Sequence, residues 1–176
     1  MRKIRGGHGF LLAACLVASP AFAAAPPEIA SLIHAATPYG EGRYAFLLVT
    51  PYEAQLWTDA PQWSMEAPFA LTLRYHMDFS TDDFVSRARS EMKHVDPSLS
   101  DATLDSYGAA MTKVFPPVKD GDEITALYEP GKPVQIFKNG SPTGSVAEAG
   151  FAAPFFGIWL SPVSSARSLR KKLLHL

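Results

Sequence analysis

The sequence predicts an α+β domain: a mainly antiparallel sheet with helices packed on one side. Three observations predict it. Residues 68–77 alternate in the period of a strand, with Phe69, Leu71, Leu73 and Tyr75 on one face and Ala70, Thr72, Arg74 and His76 on the other. After Ser80 the period becomes helical, and Phe84, Ala88, Met92 and Val95 recur at three- and four-residue steps. The order along the chain is strands, two helices, strands, two helices, without an internal repeat, which suits one sheet covered by one helical layer.

The chain has 176 residues, which suits a single domain, and 47% of them are apolar, enough for a core. Charged residues make up 19%, too many for a membrane bundle, and the formal charge of −1 does not point to nucleic acid. Residues 1–23 read as a signal peptide. Arg2, Lys3 and Arg5 form a basic start, residues 10–17 are apolar, and Ala21-Phe22-Ala23 is a small-x-small cleavage site. Cleavage after Ala23 leaves a single domain over residues 24–176 and implies a periplasmic or secreted protein. Three of the 16 basic residues and none of the 17 acidic ones lie in the signal, so the mature chain carries 13 against 17, a net of −4. The apolar run is too short for a good transmembrane helix. Cys15, the only cysteine, lies inside the signal. A rival reading takes residues 12–15, L-A-A-C, as a lipobox, with Cys15 lipidated and anchoring the protein to a membrane.

Residues 24–39 carry weak signals, and Ile29, Leu32 and Ile33 suit a short helix or an edge strand. Residues 43–50, R-Y-A-F-L-L-V-T, are expected as a strand buried on both faces, with a bulge or kink at Pro51. Strand resumes over residues 52–57, with Tyr52, Ala54 and Leu56 inward and Glu53, Gln55 and Trp57 half exposed. Ser80 and Asp83 read as a capping box at the start of the first helix, and Asp96-Pro97 stops it. Ser98 or Ser100 caps the second, with Leu104, Tyr107, Met111 and Phe115 inward, and Pro116-Pro117 ends it. Residues 122–129 and 134–138 are strands around a Pro-Gly turn. Asn139-Gly140 is a hairpin signal, with residues 145–147 as the return strand. Residues 151–160 form an apolar helix, regular from Pro154. A terminal helix from Ser164 or Ser165 points Leu169, Leu173 and Leu176 inward. Its basic face is solvated or touches anionic lipid.

No phosphate loop, nucleophile elbow or metal-ligand spacing is present, and no carboxylate pair stands out; no cofactor and no metal are expected. What remains is a few cationic groups among apolar residues: Arg43 on a strand, Arg74 and His76 on a strand face, and Arg87 beside the apolar face of a helix. A cation at an apolar cavity is what a fatty acid needs, because its carboxylate is costly to bury without a charged partner. The plain reading of each is a charge reaching water from a strand end, a wet sheet face or a helix flank. Tyr44, Tyr52 and Tyr75 read as core or rim aromatics.

Several landmarks together resemble the chalcone isomerase-like family, specifically its exported bacterial branch. They are G-E-G-R at 40–43, Y-E-A-Q-L-W at 52–57, F-A-L-T-L-R-Y at 69–75, F-P-P-V-K-D-G-D-E-I-T at 115–125, F-x-N-G at 137–140 and F-F-G-I-W-L-S-P at 155–162. The resemblance implies a curved antiparallel sheet against a layer of helices, an open-faced sandwich with a ligand cleft between the two. The family holds plant enzymes that cyclise chalcones and non-catalytic members that bind fatty acids through an arginine. The plant tyrosine, lysine and asparagine match Phe84, Arg87 and Glu91 here, and the plant threonine falls near Leu47. Only the positive charge of Arg87 survives, so the resemblance does not extend to chalcone cyclisation. The family arginine is matched by Arg43.

The expectation is therefore an exported, non-catalytic binder of a small apolar carboxylate such as a fatty acid, with Arg43, Arg87, Phe84, Tyr75 and His76 at the site. Two others stand beside it. One is an isomerase or intramolecular lyase using Arg87, Tyr75 or His76. The other is an envelope interaction protein whose cleft is closed by large side chains such as Phe46, Phe155 and Phe156.

Overall fold

A computed structural model describes residues 25–46 and 49–176, and Phe46 by its backbone alone. The signal peptide and its Cys15 alternative lie outside the described residues. Six strands form one antiparallel sheet in sequence order: β1 (Gly40–Phe46), β2 (Val49–Trp57), β3 (Phe69–Tyr75), β4 (Glu123–Tyr128), β5 (Val134–Lys138) and β6 (Ser141–Val146). Helices α1 (Thr81–Val95) and α2 (Asp101–Val114) connect β3 to its neighbour β4, and α3 (Ala152–Leu160) and α4 (Arg167–Leu174) follow the sheet. The fold is α+β, an open curved sheet with one principal layer of helices.

The first helix starts where its sequence signals say. Ser80 Oγ accepts from the Asp83 N–H at 3.1 Å, and the Asp83 carboxylate accepts from the Ser80 N–H at 3.1 Å. Ser100, rather than Ser98, caps α2. The main core lies between the inward faces of β2–β6 and the helices, and α3 contributes Phe155, Phe156, Trp159 and Leu160, all buried.

Four expectations need correction. Residues 43–50 are not one strand buried on both faces. Phe46 pairs with Val49, so the apolar run is divided between β1 and β2, and β1 is an edge strand whose Arg43 side chain is 71% exposed. The register does shift between Tyr44 and Phe46, opposite Pro51. Gln55 and Trp57 are buried rather than half exposed. The segment after residue 25 folds over the outer sheet face, and Ile29 and Ile33 pack with Trp57, Ala70, Leu127 and Phe137 in a second, smaller core. The return strand starts directly at Ser141, because Asn139 and Gly140 take positive φ of 49° and 78° and turn the chain in two residues. Leu176 is 67% exposed, since His175 in the left-handed region ends α4 and takes the last residue off its apolar stripe.

The start of β4 is tied to this turn. Asn139 Nδ2 donates to Asp122 Oδ1 at 2.8 Å, and Lys138 Nζ lies 2.8 Å from Oδ2. These two groups, Asn139 first, hold the Asp122 carboxyl down from an ordinary 3.8 to about 2. A carboxyl lowered in the folded state contributes stability that is complete above its unfolded value and is lost as pH falls through its folded one. Asp122→Asn is therefore expected to lower the urea midpoint at neutral pH. The gap to the wild type should shrink between about pH 4 and about pH 2. A gap independent of pH would show that the carboxylate charge plays no part.

Candidate ligand-binding site

The alternation of the strands decides what the site contains. Tyr44, Tyr52 and Tyr75 occupy registered positions on β1, β2 and β3, so all three face the helices. Tyr44 and Tyr52 stack at 5.0 Å between ring centroids, Tyr75 follows at 5.9 Å from Tyr52, and Phe79 stands edge-on to Tyr75 at 5.6 Å. This aromatic row is the floor of a cavity of about 320 Å³. Helix α1 forms the opposite wall with Asp83, Phe84, Arg87, Ala88 and Glu91, which share one face by their three- and four-residue spacing. Ile158 and Trp159 of α3 and the 165–166 segment complete the lining.

The lining is mostly apolar, with a short list of polar atoms. Among the described residues Arg87 is the only basic side chain lining the cavity, and at 65% exposure it stands at the rim. Its Nη2 lies 2.7 Å from Glu91 Oε1, an i,i+4 ion pair in which the Glu91 side chain is only 10% exposed. Ser165 Oγ donates to the other Glu91 oxygen at 2.6 Å. Trp159 Nε1 donates to Tyr52 Oη at 3.0 Å, which fixes the indole against the sheet. Burial pushes the phenol pKa values of Tyr52 and Tyr75 well up, so both stay neutral hydrogen-bond donors at any physiological pH. Asp83 is held low by the Ser80 hydroxyl and N–H, and is occupied as the helix cap.

Of the five residues expected at the site, the structure brings three together: Arg87, Phe84 and Tyr75. Arg43 and His76 are not among them. Both lie on the outer sheet face, where Glu53 Oε1 is 2.6 Å from Arg43 Nε and 3.4 Å from His76 Nε2. Glu53 is registered with both Arg43 and Arg74, and Arg74 with Glu123, its partner at 2.8 Å. The plain reading thus fits Arg43 and His76, whose side chains belong to a ladder of cross-strand polar contacts. Glu91, Ser165 and Trp159 were missed as site residues, as was the lining role of Tyr44 and Tyr52. A tyrosine on each of three successive strands is the signal that could have found the row.

The closed-cleft alternative named Phe46, Phe155 and Phe156, and the Phe46 side chain lies outside the described residues. Phe155 and Phe156 are buried and fill one end of the inter-layer space, while the end over the tyrosines stays open. Among the described residues no three His, Cys, Asp or Glu side chains come together as a metal site requires, and no helix is long and apolar enough to cross a membrane.

A family model described as chalcone isomerase-like matches residues 43–175. The chain belongs to the chalcone isomerase-like family. Among solved structures, a fatty-acid binding protein of Arabidopsis thaliana aligns with a TM-score of 0.57 at 13% identity, covering 78% of this chain and 85% of that one. At that identity the likeness is one of fold. The curated proteins contain no match. Family membership agrees with the sheet-and-helix layers described above. The positions matched to the plant tyrosine, lysine and asparagine, here Phe84, Arg87 and Glu91, all line the cavity; Leu47 lies outside the described residues.

Proposed function

We propose that this protein is an exported binder of a small apolar carboxylate, such as a straight-chain fatty acid. The observation that carries the reading is the cavity itself: an apolar space of about 320 Å³, within the range of small-molecule sites, with a guanidinium at its rim. Arg87 has five N–H donors and uses one on Glu91, so the fork keeps donors for a ligand carboxylate. The neutral Tyr75 hydroxyl, without a hydrogen-bond partner among the described residues, supplies a further donor in the cavity wall. A relative in fold is a fatty-acid binding protein, which supports the ligand class. The N-terminal sequence supports export.

Titration calorimetry with straight-chain acids tests the reading. The wild type and Arg43→Ala are expected to bind alike, since Arg43 is held on the far face of the sheet. Arg87→Ala is expected to bind weakly. Equal loss in both arginine variants, or none in Arg87→Ala, would contradict the assignment of the head group.

Glu91 adds a check of its own. Its carboxylate competes with a bound anion for Arg87, so Glu91→Gln is expected to tighten acid binding by about threefold to tenfold, the worth of one charged competitor at a partly wet site. The amide oxygen can still accept from Ser165, so the fold is retained. Weaker acid binding in Glu91→Gln would mean that Glu91 recognises the ligand rather than repels it.

A further inference from the structure

The space between the layers continues beyond the cavity. A void of about 10 Å³ lies further into the core, bounded by Leu71, Leu73, Phe84, Phe115, Phe155 and Trp159 together with two β4 side chains. Leu73, Phe84 and Trp159 line both spaces. Along β3 the cavity takes Tyr75 and Leu73, and the void takes Leu73 and Leu71, so the void sits one inward-facing residue further on. On α3 it sits one turn back, at Phe155 instead of Ile158. The two spaces are parts of one layer gap, separated by three side chains.

These three are not equivalent. Leu73 stands on a central strand, and Trp159 is tied to Tyr52 by its indole N–H. Phe84 is half-buried on α1, and its ring stacks on Phe115 with centroids 4.3 Å apart. We propose that Phe84 is the end stop of the cavity and sets the length of the apolar chain that the protein takes. The proposal rests on the carrier reading above and adds a specificity determinant to it. A methylene takes about the same volume as a liquid water, roughly 30 Å³, so a cavity of about 320 Å³ takes about ten carbons. The void is too small for even one more. Without the phenyl ring the two spaces join and gain room for about three methylenes.

The test is a calorimetric series of straight-chain acids from about eight to about eighteen carbons against the wild type, Phe84→Ala and Phe84→Leu. Each buried methylene tightens binding by about fourfold, so affinity should climb with length and then level off where the chain meets the stop. The wild type is expected to level off near ten carbons and Phe84→Ala about three carbons later, with Phe84→Leu between them. A folded Phe84→Ala, shown by a cooperative melt, that breaks at the wild-type length would overturn the proposal. Should that variant fail to fold, Phe84→Leu decides by the same shift, because it keeps apolar bulk against Phe115. A shifted break with an unchanged response to Arg87→Ala keeps head-group recognition and chain length separate. If the wild type binds no acid of any length, the carrier reading falls and this inference falls with it.

Discussion

Arg87→Ala is expected to weaken binding of a straight-chain acid by roughly 30-fold. A hydrogen bond to a charged group contributes about 1.5–3 kcal/mol, and the 65% exposure of Arg87 places it toward the lower end through solvent screening. The same change acts on the unliganded protein. Glu91, its side chain 10% exposed, would lose its ion-pair partner and keep only the Ser165 hydroxyl. A fall in melting temperature is therefore expected alongside the lost affinity. The double variant Arg87→Ala, Glu91→Gln separates the two effects. It should recover stability, because the lone carboxylate is gone, and should still bind poorly, because no cation faces the cavity. Recovery of binding in the double variant would show that Glu91 repulsion, not the lost guanidinium, caused the defect.

Phe156→Ala is expected to cost about 3–5 kcal/mol, a large share of the roughly 5–15 kcal/mol that holds a domain of this size. Phe156 is 0% exposed and sits edge-on to Phe69 at 4.7 Å, with Tyr128 at 5.8 Å and Phe155 at 5.2 Å. Its removal empties the centre of the packing between α3 and the sheet, where neighbouring rings cannot collapse without breaking their own contacts. Urea unfolding followed by circular dichroism should show a much lower midpoint with little change in slope. A loss under about 1 kcal/mol would mean that this end of the layer gap is loosely packed.

Local signals made much of the fold legible. The Ser80–Asp83 box, the Asp96-Pro97 stop, the alternation of β3 and the Asn139-Gly140 turn are each complete within a few residues, and each stands where the sequence put it. What was not legible depends on distant contacts. Nothing within F-L-L-V-T marks a break, so the division between β1 and β2 is visible only from the pairing of Phe46 with Val49. Gln55 and Trp57 look half exposed along their own strand, and are buried because Ile29 and Ile33 fold over them. The same limit applies to the site. Arg87 was legible because helical spacing puts it beside Phe84 and Ala88 on one face. Arg43 was misplaced because its neighbour Tyr44 suits a cavity wall equally well, and only register with Tyr52 and Tyr75 decides which of the two points inward.

The most direct test of the carrier account is native mass spectrometry of the protein purified gently from its own host, followed by extraction of whatever it holds. The account predicts one apolar acid of about ten carbons per chain, retained in Arg43→Ala and lost in Arg87→Ala. An empty protein that also gains no thermal stability from straight-chain acids would contradict it.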